Sequence, residues 1–338
     1  MSDSETMRAV QVPEADEAFE VVERPVPEPR PNEVRIEVAA CGVCGGDVHV
    51  CEGGASDYPR IPGHEVVGTV DAVGEGVTAW EVGDRVGVGW HGGHCFDCEA
   101  CRRGEFVHCT NAPVTGMDRD GGYAEYTLAR SEAVAAIPGD PADEAAAPLL
   151  CAGLTTFNAL RHSGARMGDL VAVVGVGGLG HLALQYARRA GFETVAVSRG
   201  TDKREAAASF GADHFVDAEA EDPAAALEEL GGAGVVLATA PASDAVAPVV
   251  GGIDAGGEVI SVGVPEQPVP VDVGTLVGTR GGVAWWASGT PRDAEDALAF
   301  SARRDVTPTV ETFDLADAER AFRRLQEGEV RFRAVLEP

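Results

Sequence analysis

The chain has 338 residues, more than a single hydrophobic core usually spans, so two domains are expected. Its composition, with 45% apolar and 24% charged residues, is typical of a globular protein. Its 55 acidic residues against 26 basic ones give a formal net charge of −29 at pH 7, which argues against nucleic acid as a partner because phosphate binding needs a basic face. No apolar run approaches the roughly 18 residues of a membrane span, and the polar start predicts no signal peptide, so we expect a cytoplasmic protein with no membrane partner.

The first part of the chain, from residue 7 to about residue 150, has the pattern of a mostly β domain. Short apolar segments alternate there with turns rich in glycine and proline. The predicted strands of this part are 34–39, 66–73, 85–88 and 124–129.

After Cys151 the pattern changes to strands that alternate with helices. The predicted strands are 169–174, 194–197, 214–216, 235–239 and 258–262, and the helices between the first of them are 181–190 and 203–210. This alternation is typical of parallel βαβ units, so we predict an α/β domain with a doubly wound parallel sheet. Helices over 292–302 and 315–327 and a strand over 332–336 complete the chain.

These patterns predict the domain boundaries. We expect a first domain over residues 1–152, with a cysteine-rich lobe over 91–111, and a second domain over 153–286. The C-terminal segment, 287–338, is expected to return to the first domain.

The cysteine-rich lobe has four cysteines spaced C-x2-C-x2-C-x7-C, namely Cys95, Cys98, Cys101 and Cys109. Four thiolates at this spacing can close a tetrahedral Zn²⁺ site, which leaves no position for a substrate and therefore serves to hold the lobe together. Clustered cysteines in a chain without a secretory signal favour metal binding over disulfides. An iron–sulfur cluster is the alternative that uses the same four ligands.

A second possible metal site is suggested by residue type rather than by spacing. Cys44, His64 and Cys151 are the ligand types of an open zinc site, in which the metal keeps one position for a substrate oxygen. Asp47 follows Cys44 by three residues, and its carboxylate could accept the second N–H of His64 and fix its tautomer. The alternative is two buried core cysteines and a histidine in a turn.

A glycine-rich loop, G-x-G-x-x-G, follows the predicted strand 169–174 and begins a predicted helix, which is the context of a dinucleotide-binding loop. The first glycine allows a tight turn, the second lets the backbone approach a pyrophosphate, and the third lets helix and strand pack closely. The helix N-terminus offers N–H groups to the anion. The loop residues are Gly175, Gly177, Gly178, Leu179 and Gly180. A glycine-rich turn in a fold that binds no nucleotide is the alternative.

The end of the next strand indicates which dinucleotide is bound. An NAD site usually has Asp or Glu there, whereas this chain has Ser198 and Arg199, with Lys203 close behind. There is no carboxylate at this strand end to repel a 2′-phosphate, and a guanidinium is present to bind it. We therefore predict NADP as the preferred cofactor, with NAD possible. The alternative is an exposed Arg199 that stacks on adenine and does not discriminate.

Together these motifs resemble the zinc-dependent, medium-chain alcohol dehydrogenases over nearly the whole chain. The matching stretches are 41–44, 62–65, 150–156, the four-cysteine lobe and the loop 175–180. The resemblance implies a GroES-like catalytic domain, a Rossmann domain and an active cleft between them. It also implies two Zn²⁺ per chain, a small-molecule alcohol or aldehyde as substrate, and a homodimer or homotetramer.

The resemblance also assigns catalytic roles by position. It makes Cys44, His64 and Cys151 the catalytic zinc ligands. Glu65 matches a nearby carboxylate that can approach the metal when water exchanges, and Asp47 matches the partner of His64. Among the remaining matches, His49 corresponds to the histidine that passes the proton to solvent.

Five further positions concern the cofactor and the substrate pocket. By resemblance, Thr155 contacts the nicotinamide, Arg333 lies near the cofactor pyrophosphate, and Trp90 and His91 line the substrate pocket. Gly46 departs from the family, which commonly has a Ser or Thr whose hydroxyl bonds the substrate oxygen. We expect this glycine to leave extra room beside the zinc, and the proton to leave through water or by another route to His49.

The predicted function is hydride transfer between a primary or small alcohol and NADP(H). A polyol or sugar dehydrogenase of the same family is one alternative, and a non-catalytic sensor that binds zinc and NADPH is another.

The acidic excess, with Lys203 as the only lysine, predicts adaptation to high salt. A solubility charge combined with a GC-rich coding bias would also account for it.

Overall fold

The computed structural model describes residues 5–139 and 141–338, so the expectation for the extreme N-terminus lies partly outside the described residues. The chain forms two compact units. The first runs to Leu154 and resumes over Ser288–Arg303 and Thr307–Pro338, and the second comprises Thr155–Ala287 and Arg304–Val306. Within the described ranges, no helix is long and apolar enough to cross a membrane.

The first unit begins as a mostly β structure with short helices. Its elements are β1 (Thr6–Gln11), β2 (Glu20–Pro25), β3 (Glu33–Val43), α1 (Asp47–His49), β4 (Val66–Val73), β5 (Arg85–Val88), α2 (Glu99–Arg102), β6 (Tyr126–Arg130), β7 (Val134–Ala136) and α3 (Asp143–Ala146). A π-helical turn follows α1, and single 3₁₀ turns lie over Phe106–His108, Ser131–Ala133 and Ala147–Leu150.

The rest of the chain alternates helices with strands. Its elements are α4 (Ala152–Arg161), β8 (Leu170–Val174), α5 (Gly180–Ala190), β9 (Glu193–Ser198), α6 (Arg204–Ser209), β10 (His214–Asp217), α7 (Pro223–Glu229), β11 (Ala233–Ala238), α8 (Ser243–Val246), β12 (Ile253–Ser261), α9 (Val273–Thr279), β13 (Gly282–Trp285), α10 (Pro291–Arg304), β14 (Val310–Asp314), α11 (Ala318–Gln326) and β15 (Arg333–Glu337). Further 3₁₀ turns lie over Ala247–Gly252 and Leu315–Asp317.

The main sheet of the first unit has the strand order β14-β15-β3-β4-β5-β7, with β6 also pairing with β3. Alternate residues of β3, among them Val34, Ile36 and Val38, are buried, as expected for a strand with one face on a core. The C-terminal strand β15 pairs antiparallel with β3 and sets Ala334 opposite Val43. This pairing brings the start of β15 beside the end of β3, where the candidate metal ligands begin.

The second unit contains a parallel sheet with the strand order β10-β9-β8-β11-β12-β13. All five residues of the central strand β8 are buried, which is characteristic of strands inside a parallel sheet. Numbered from β8, the order is 3-2-1-4-5-6, that of doubly wound dinucleotide-binding folds. The predicted α/β fold with a doubly wound sheet is confirmed.

Candidate active site

The three residues proposed as open-site metal ligands lie together in the first unit. Cys44 follows β3, His64 precedes β4, and Cys151 precedes α4, yet their ligand atoms and a carboxylate oxygen of Glu65 all lie within 4.8 Å of one another. The Sγ atoms of Cys44 and Cys151 are 3.8 Å apart. Two sulfurs, an imidazole nitrogen and a nearby carboxylate at these distances fit a tetrahedral zinc ion.

Two buried atoms of this cluster have no hydrogen-bond partner. They are His64 Nε2 and Glu65 Oε2, and both residues belong to the group whose ligand atoms lie within 4.8 Å of one another. Buried polar atoms nearly always have a bonding partner, and a cation bound between these residues would supply the partner that the two atoms lack. In addition, the hydrogen bond from the Cys151 thiol lowers the pKa of Cys44 well below its ordinary value, which favours the metal-binding thiolate.

Asp47 is fully buried at the start of α1 and contacts the ring of His64. Its Oδ1 is 3.1 Å from His64 Nδ1, so the carboxylate holds the tautomer in which Nε2 is free to bind metal. Tyr123 donates a hydrogen bond of 2.9 Å to the other carboxylate oxygen. The sequence reasoning found Asp47 but missed Tyr123, since nothing in the chain around residue 123 signals a contact with residue 47.

Glu65 forms a buried ion pair with Arg333. The Arg333 Nη2 atom is 2.5 Å from Glu65 Oε1 and 3.3 Å from the carbonyl oxygen of Val43, and Arg333 is 1% exposed. Burial raises the pKa of Glu65 to about 7, while the guanidinium opposes this rise. The arginine therefore stabilises a carboxylate that faces the metal ligands.

The four-cysteine lobe forms a second, separate cluster of ligand atoms, those of Cys95, Cys98, Cys101 and Cys109, all within 4.8 Å of one another. The backbone N–H of Cys98 lies 3.3 Å from Cys95 Sγ, and that of Asn111 lies 3.3 Å from Cys109 Sγ. The backbone N–H donors of Asp97 and Cys98 lower the pKa of Cys95 to about 6. The four sulfurs and their donors fit a closed zinc site.

The glycine-rich loop connects β8 to α5, and its first and last glycines are needed for different reasons. Gly175 has a φ of +90°, which favours glycine. A Cβ on Gly180 would lie 1.8 Å from the carbonyl oxygen of Gly175, so only glycine fits at the first turn of α5. A Cβ on Gly177 would meet nothing within 4 Å, and the loop ends at Leu179, just before α5. This geometry is that of a dinucleotide-binding turn.

Two family descriptions match the chain: "Alcohol dehydrogenase GroES-like domain" over residues 30–139 and "Zinc-binding dehydrogenase" over residues 178–303. An alcohol dehydrogenase of Aspergillus sp. (strain MF297-2), notN, is 42% identical over 337 residues, 99% of each chain. The chain belongs to the zinc-dependent, medium-chain alcohol dehydrogenase family.

Two further relatives agree with this assignment. An alcohol dehydrogenase of Geobacillus stearothermophilus is 39% identical over 334 residues, 98% of each chain. The solved structure of a cinnamyl alcohol dehydrogenase from Sorghum bicolor is 29% identical, has a TM-score of 0.88, and covers 98% of each chain. The protein is thus an oxidoreductase that acts on alcohols, in a family that uses zinc and a nicotinamide cofactor, and the expected GroES-like domain is confirmed.

The space beside Gly46 differs from the expectation. A Cβ on Gly46 would lie 2.9 Å from His64 Cε1 and 2.9 Å from Trp90 Cζ3. The indole is edge-on to the imidazole, with ring centroids 4.9 Å apart. The prediction of extra room beside the zinc is therefore wrong at this point, because Trp90 occupies the volume that the missing side chain would take.

The other residues assigned by resemblance have varied surroundings. His49 is exposed at the end of α1, Thr155 is buried in α4, and His91 is buried with its Nε2 3.0 Å from Nδ1 of His94. Arg333 is held in the ion pair with Glu65 described above, so its contact with the cofactor pyrophosphate stays a prediction, as do the roles of the other three.

The strand end at Ser198 is more acidic than the sequence suggested. Arg199 is exposed and Lys203 precedes α6, and their contacts with the cofactor stay predictions. However, the neighbouring strand β10 ends at Asp217, whose Oδ1 accepts a 2.8 Å hydrogen bond from the backbone N–H of Gly200. The end of β9 itself has no carboxylate, but β10 pairs parallel with β9 and sets Asp217 beside Ser198, which the sequence alone did not predict.

Proposed function

We propose that the enzyme is a zinc-dependent alcohol dehydrogenase or aldehyde reductase that transfers hydride between a primary or small alcohol and NADP(H). One Zn²⁺ would be held by Cys44, His64 and Cys151, and a second by the four-cysteine lobe. The proposal depends above all on His64, whose buried Nε2 has no hydrogen-bond partner and whose ligand atom lies within 4.8 Å of two cysteine sulfurs and a carboxylate oxygen. Free cysteines throughout the described chain support action in the cytoplasm.

When bound at these ligands, zinc supplies Lewis acidity to the substrate oxygen, which favours loss of the hydroxyl proton. The residues of the chain orient this chemistry. Asp47 fixes the His64 ring, the Glu65–Arg333 pair places a carboxylate beside the ligands, and the exposed His49 offers a route for the proton to solvent. The loop from Gly175 to Gly180 would hold the cofactor pyrophosphate at the start of α5.

Metal analysis combined with a substrate panel tests this function. Cys44→Ala should keep one zinc per chain and lose turnover, whereas Cys51→Ala, a half-buried cysteine outside both clusters, should keep two zincs and full activity. The panel is butanol, benzyl alcohol, cinnamyl alcohol, sorbitol and glucose. Preference for sorbitol or glucose would favour a polyol dehydrogenase. Zinc-loaded protein that binds NADPH but turns over nothing would contradict catalysis altogether.

The preference for NADP is proposed from Arg199, which is the exposed cation at the end of β9. Arg199→Ala should lower kcat/KM for NADP by about 10-fold or more, the value of a charge-assisted hydrogen bond, and leave NAD little affected. Arg204→Ala is the matched control because its guanidinium lies over the ring of Phe215, 4.5 Å from the centroid. A wild-type kcat/KM for NAD equal to or above that for NADP would reject the preference.

A homodimer or homotetramer is proposed from the exposed edge of the parallel sheet. The terminal strand β13 ends in Trp285, which is 52% exposed, and Val273 and Val277 in α9 are 68% and 73% exposed. Large apolar side chains beside a sheet edge favour association. Sedimentation analysis of wild type and Val277→Asp tests the proposal. A wild-type monomer at micromolar concentration would contradict it.

A further inference from the structure

Tyr123 is a fully buried phenol that lies against the candidate metal site without belonging to its ligand set. Its Oη donates a 2.9 Å hydrogen bond to Oδ2 of Asp47, across 76 positions of the chain. We propose that Tyr123 is a positioning residue, which holds the Asp47 carboxylate and, through it, the His64 imidazole in the orientation that binds metal. The inference rests on the proposed zinc site at Cys44, His64 and Cys151.

The Asp47 carboxylate accepts four hydrogen bonds, two at each oxygen. Oδ1 accepts from Nδ1 of His64 and, at 3.3 Å, from the backbone N–H of Gly63, while Oδ2 accepts from Tyr123 and, at 2.9 Å, from the backbone N–H of Cys44. The Cys44 and His64 donors belong to the ligand residues, and Gly63 is adjacent to one of them. Tyr123 is the donor that ties the carboxylate to a different segment of the first unit.

The ring of Tyr123 is held firmly in place. A Cβ on Gly63 would lie 2.5 Å from Cδ1 of the ring, and the ring of Phe19 packs edge-on with centroids 6.0 Å apart. The backbone of Tyr123 donates to the carbonyl oxygen of Pro62 and accepts from the N–H of Val10. The hydroxyl therefore cannot swing away from the carboxylate, and the donor is in place before any metal binds.

The hydroxyl also remains a donor over the working pH range. Burial, together with the nearby Asp47 carboxylate, raises the pKa of Tyr123 well above its ordinary value, so the phenol stays protonated. Loss of a hydrogen-bond partner behind a metal-binding histidine typically reduces metal affinity or activity by about 10- to 100-fold. Removal of the hydroxyl should act on His64 through Asp47 in the same way.

The test is zinc release from Tyr123→Phe, measured by transfer to a chelating dye. The substitution removes one oxygen atom and leaves the packed ring. We expect release of one zinc per chain to become about 10- to 100-fold faster while the other is released at the wild-type rate. We also expect a lower kcat with an unchanged KM for the nicotinamide cofactor. Tyr126→Phe, a half-buried tyrosine on β6, is the matched control and should release both zincs at wild-type rates.

A double-mutant cycle with Asp47→Asn separates positioning from packing. If the hydroxyl acts through the carboxylate, Tyr123→Phe adds little to the release rate when Asp47 is already Asn. Equal additional acceleration in both backgrounds, a wild-type release rate in Tyr123→Phe, or a Tyr123→Phe chain that does not fold would each overturn the inference. Wild-type protein with only the zinc of the four-cysteine lobe would instead reject the proposed function, before Tyr123 is tested.

Discussion

Glu65 and Arg333 form an ion pair in which neither partner reaches solvent. The atoms Oε1 and Nη2 are 2.5 Å apart, and the two side chains are 0% and 2% exposed. The pair joins the residue after a candidate metal ligand to the first residue of the C-terminal strand, 268 positions later. The end of the chain therefore contributes directly to the charge balance of the active site.

Arg333→Ala should destabilise the fold strongly because it leaves the Glu65 carboxylate buried without its cation. Removal of one partner of a buried pair typically costs about 3–5 kcal/mol in the free energy of unfolding. Urea denaturation at constant KCl measures the loss. Arg292→Ala is the control, since that side chain is 76% exposed and its pairs with Glu295 and Asp296 lie at the surface. A similar decrease in the free energy of unfolding in both variants would show that the buried ion pair stabilises the fold no more than the exposed ion pairs do.

Gly46→Ser should reduce activity rather than restore a proton relay. The new Cβ would lie 2.9 Å from both His64 and Trp90, closer than real Cβ atoms come to a neighbour, so the candidate ligand histidine or the indole must shift. We expect kcat/KM to fall by about 10-fold or more, the typical cost of a misplaced ligand orientation. Gly45→Ser, where a Cβ meets nothing within 4 Å, should leave kcat/KM unchanged. A more active Gly46→Ser enzyme would contradict the packing argument.

His91 should make the fold sensitive to mild acid. Burial, with some help from His94, lowers the pKa of His91 from 6.5 to about 4. Between these values the unfolded chain binds more protons than the folded one, so stability is lost as the pH falls through this window. The pKa difference sets an upper limit of about 3 kcal/mol.

Comparison of His91→Gln with wild type isolates this contribution. The free energy of unfolding of wild type should fall by about 1–3 kcal/mol more than that of the variant between pH 6.5 and pH 4. His49→Gln removes an exposed histidine and should follow the wild-type curve. Parallel curves for wild type and His91→Gln would reject the prediction.

The acidic excess predicts that salt stabilises the enzyme. A formal net charge of −29 makes the folded chain repel itself, and the screening length shortens from about 10 Å at 0.1 M salt to about 3 Å at 1 M. We expect Tm and activity to rise across this range of KCl. An uncharged osmolyte at matched osmolality is the control, because it does not screen charge. Full activity and an unchanged Tm in dilute buffer would show that the acidic surface is not an adaptation to salt.

The sequence predicted strands in which apolar residues either alternate with polar ones, as in β3, or form a continuous run, as in β8. Predicted strands 66–73 and 85–88 have the limits of β4 and β5, and the buried β8 was found within one residue. Strands β1, β2, β7, β13 and β14 were not predicted. Their residues are partly charged or exposed, and β2 has no buried residue. These strands form because they pair with other strands, as β2 does with β1, and their local residue pattern does not predict them.

In the candidate site, too, the sequence predicted the residues that lie within one segment and missed contacts between separate segments. The four-cysteine lobe and the glycine-rich loop follow from spacing, because all their residues lie in one segment. The approach of Cys44 to Cys151, 107 positions apart, followed only from the family resemblance. Tyr123, Asp217 and the position of Trp90 were missed because each contact depends on how separate segments pack, which has no signature in the residues nearby.

The two clusters of ligand atoms differ in how much of the chain must exist before they can form. Cys95 and Cys109 are separated by 14 positions, so their short loop can close around an ion as soon as that segment leaves the ribosome. The other cluster cannot form until Cys151 has been synthesised. Arg333, which pairs with Glu65 of that cluster, belongs to the last strand, β15. The ligand atoms of the four-cysteine lobe can therefore come together before those of the other cluster, and the ion pair beside that cluster forms only when the last strand is present.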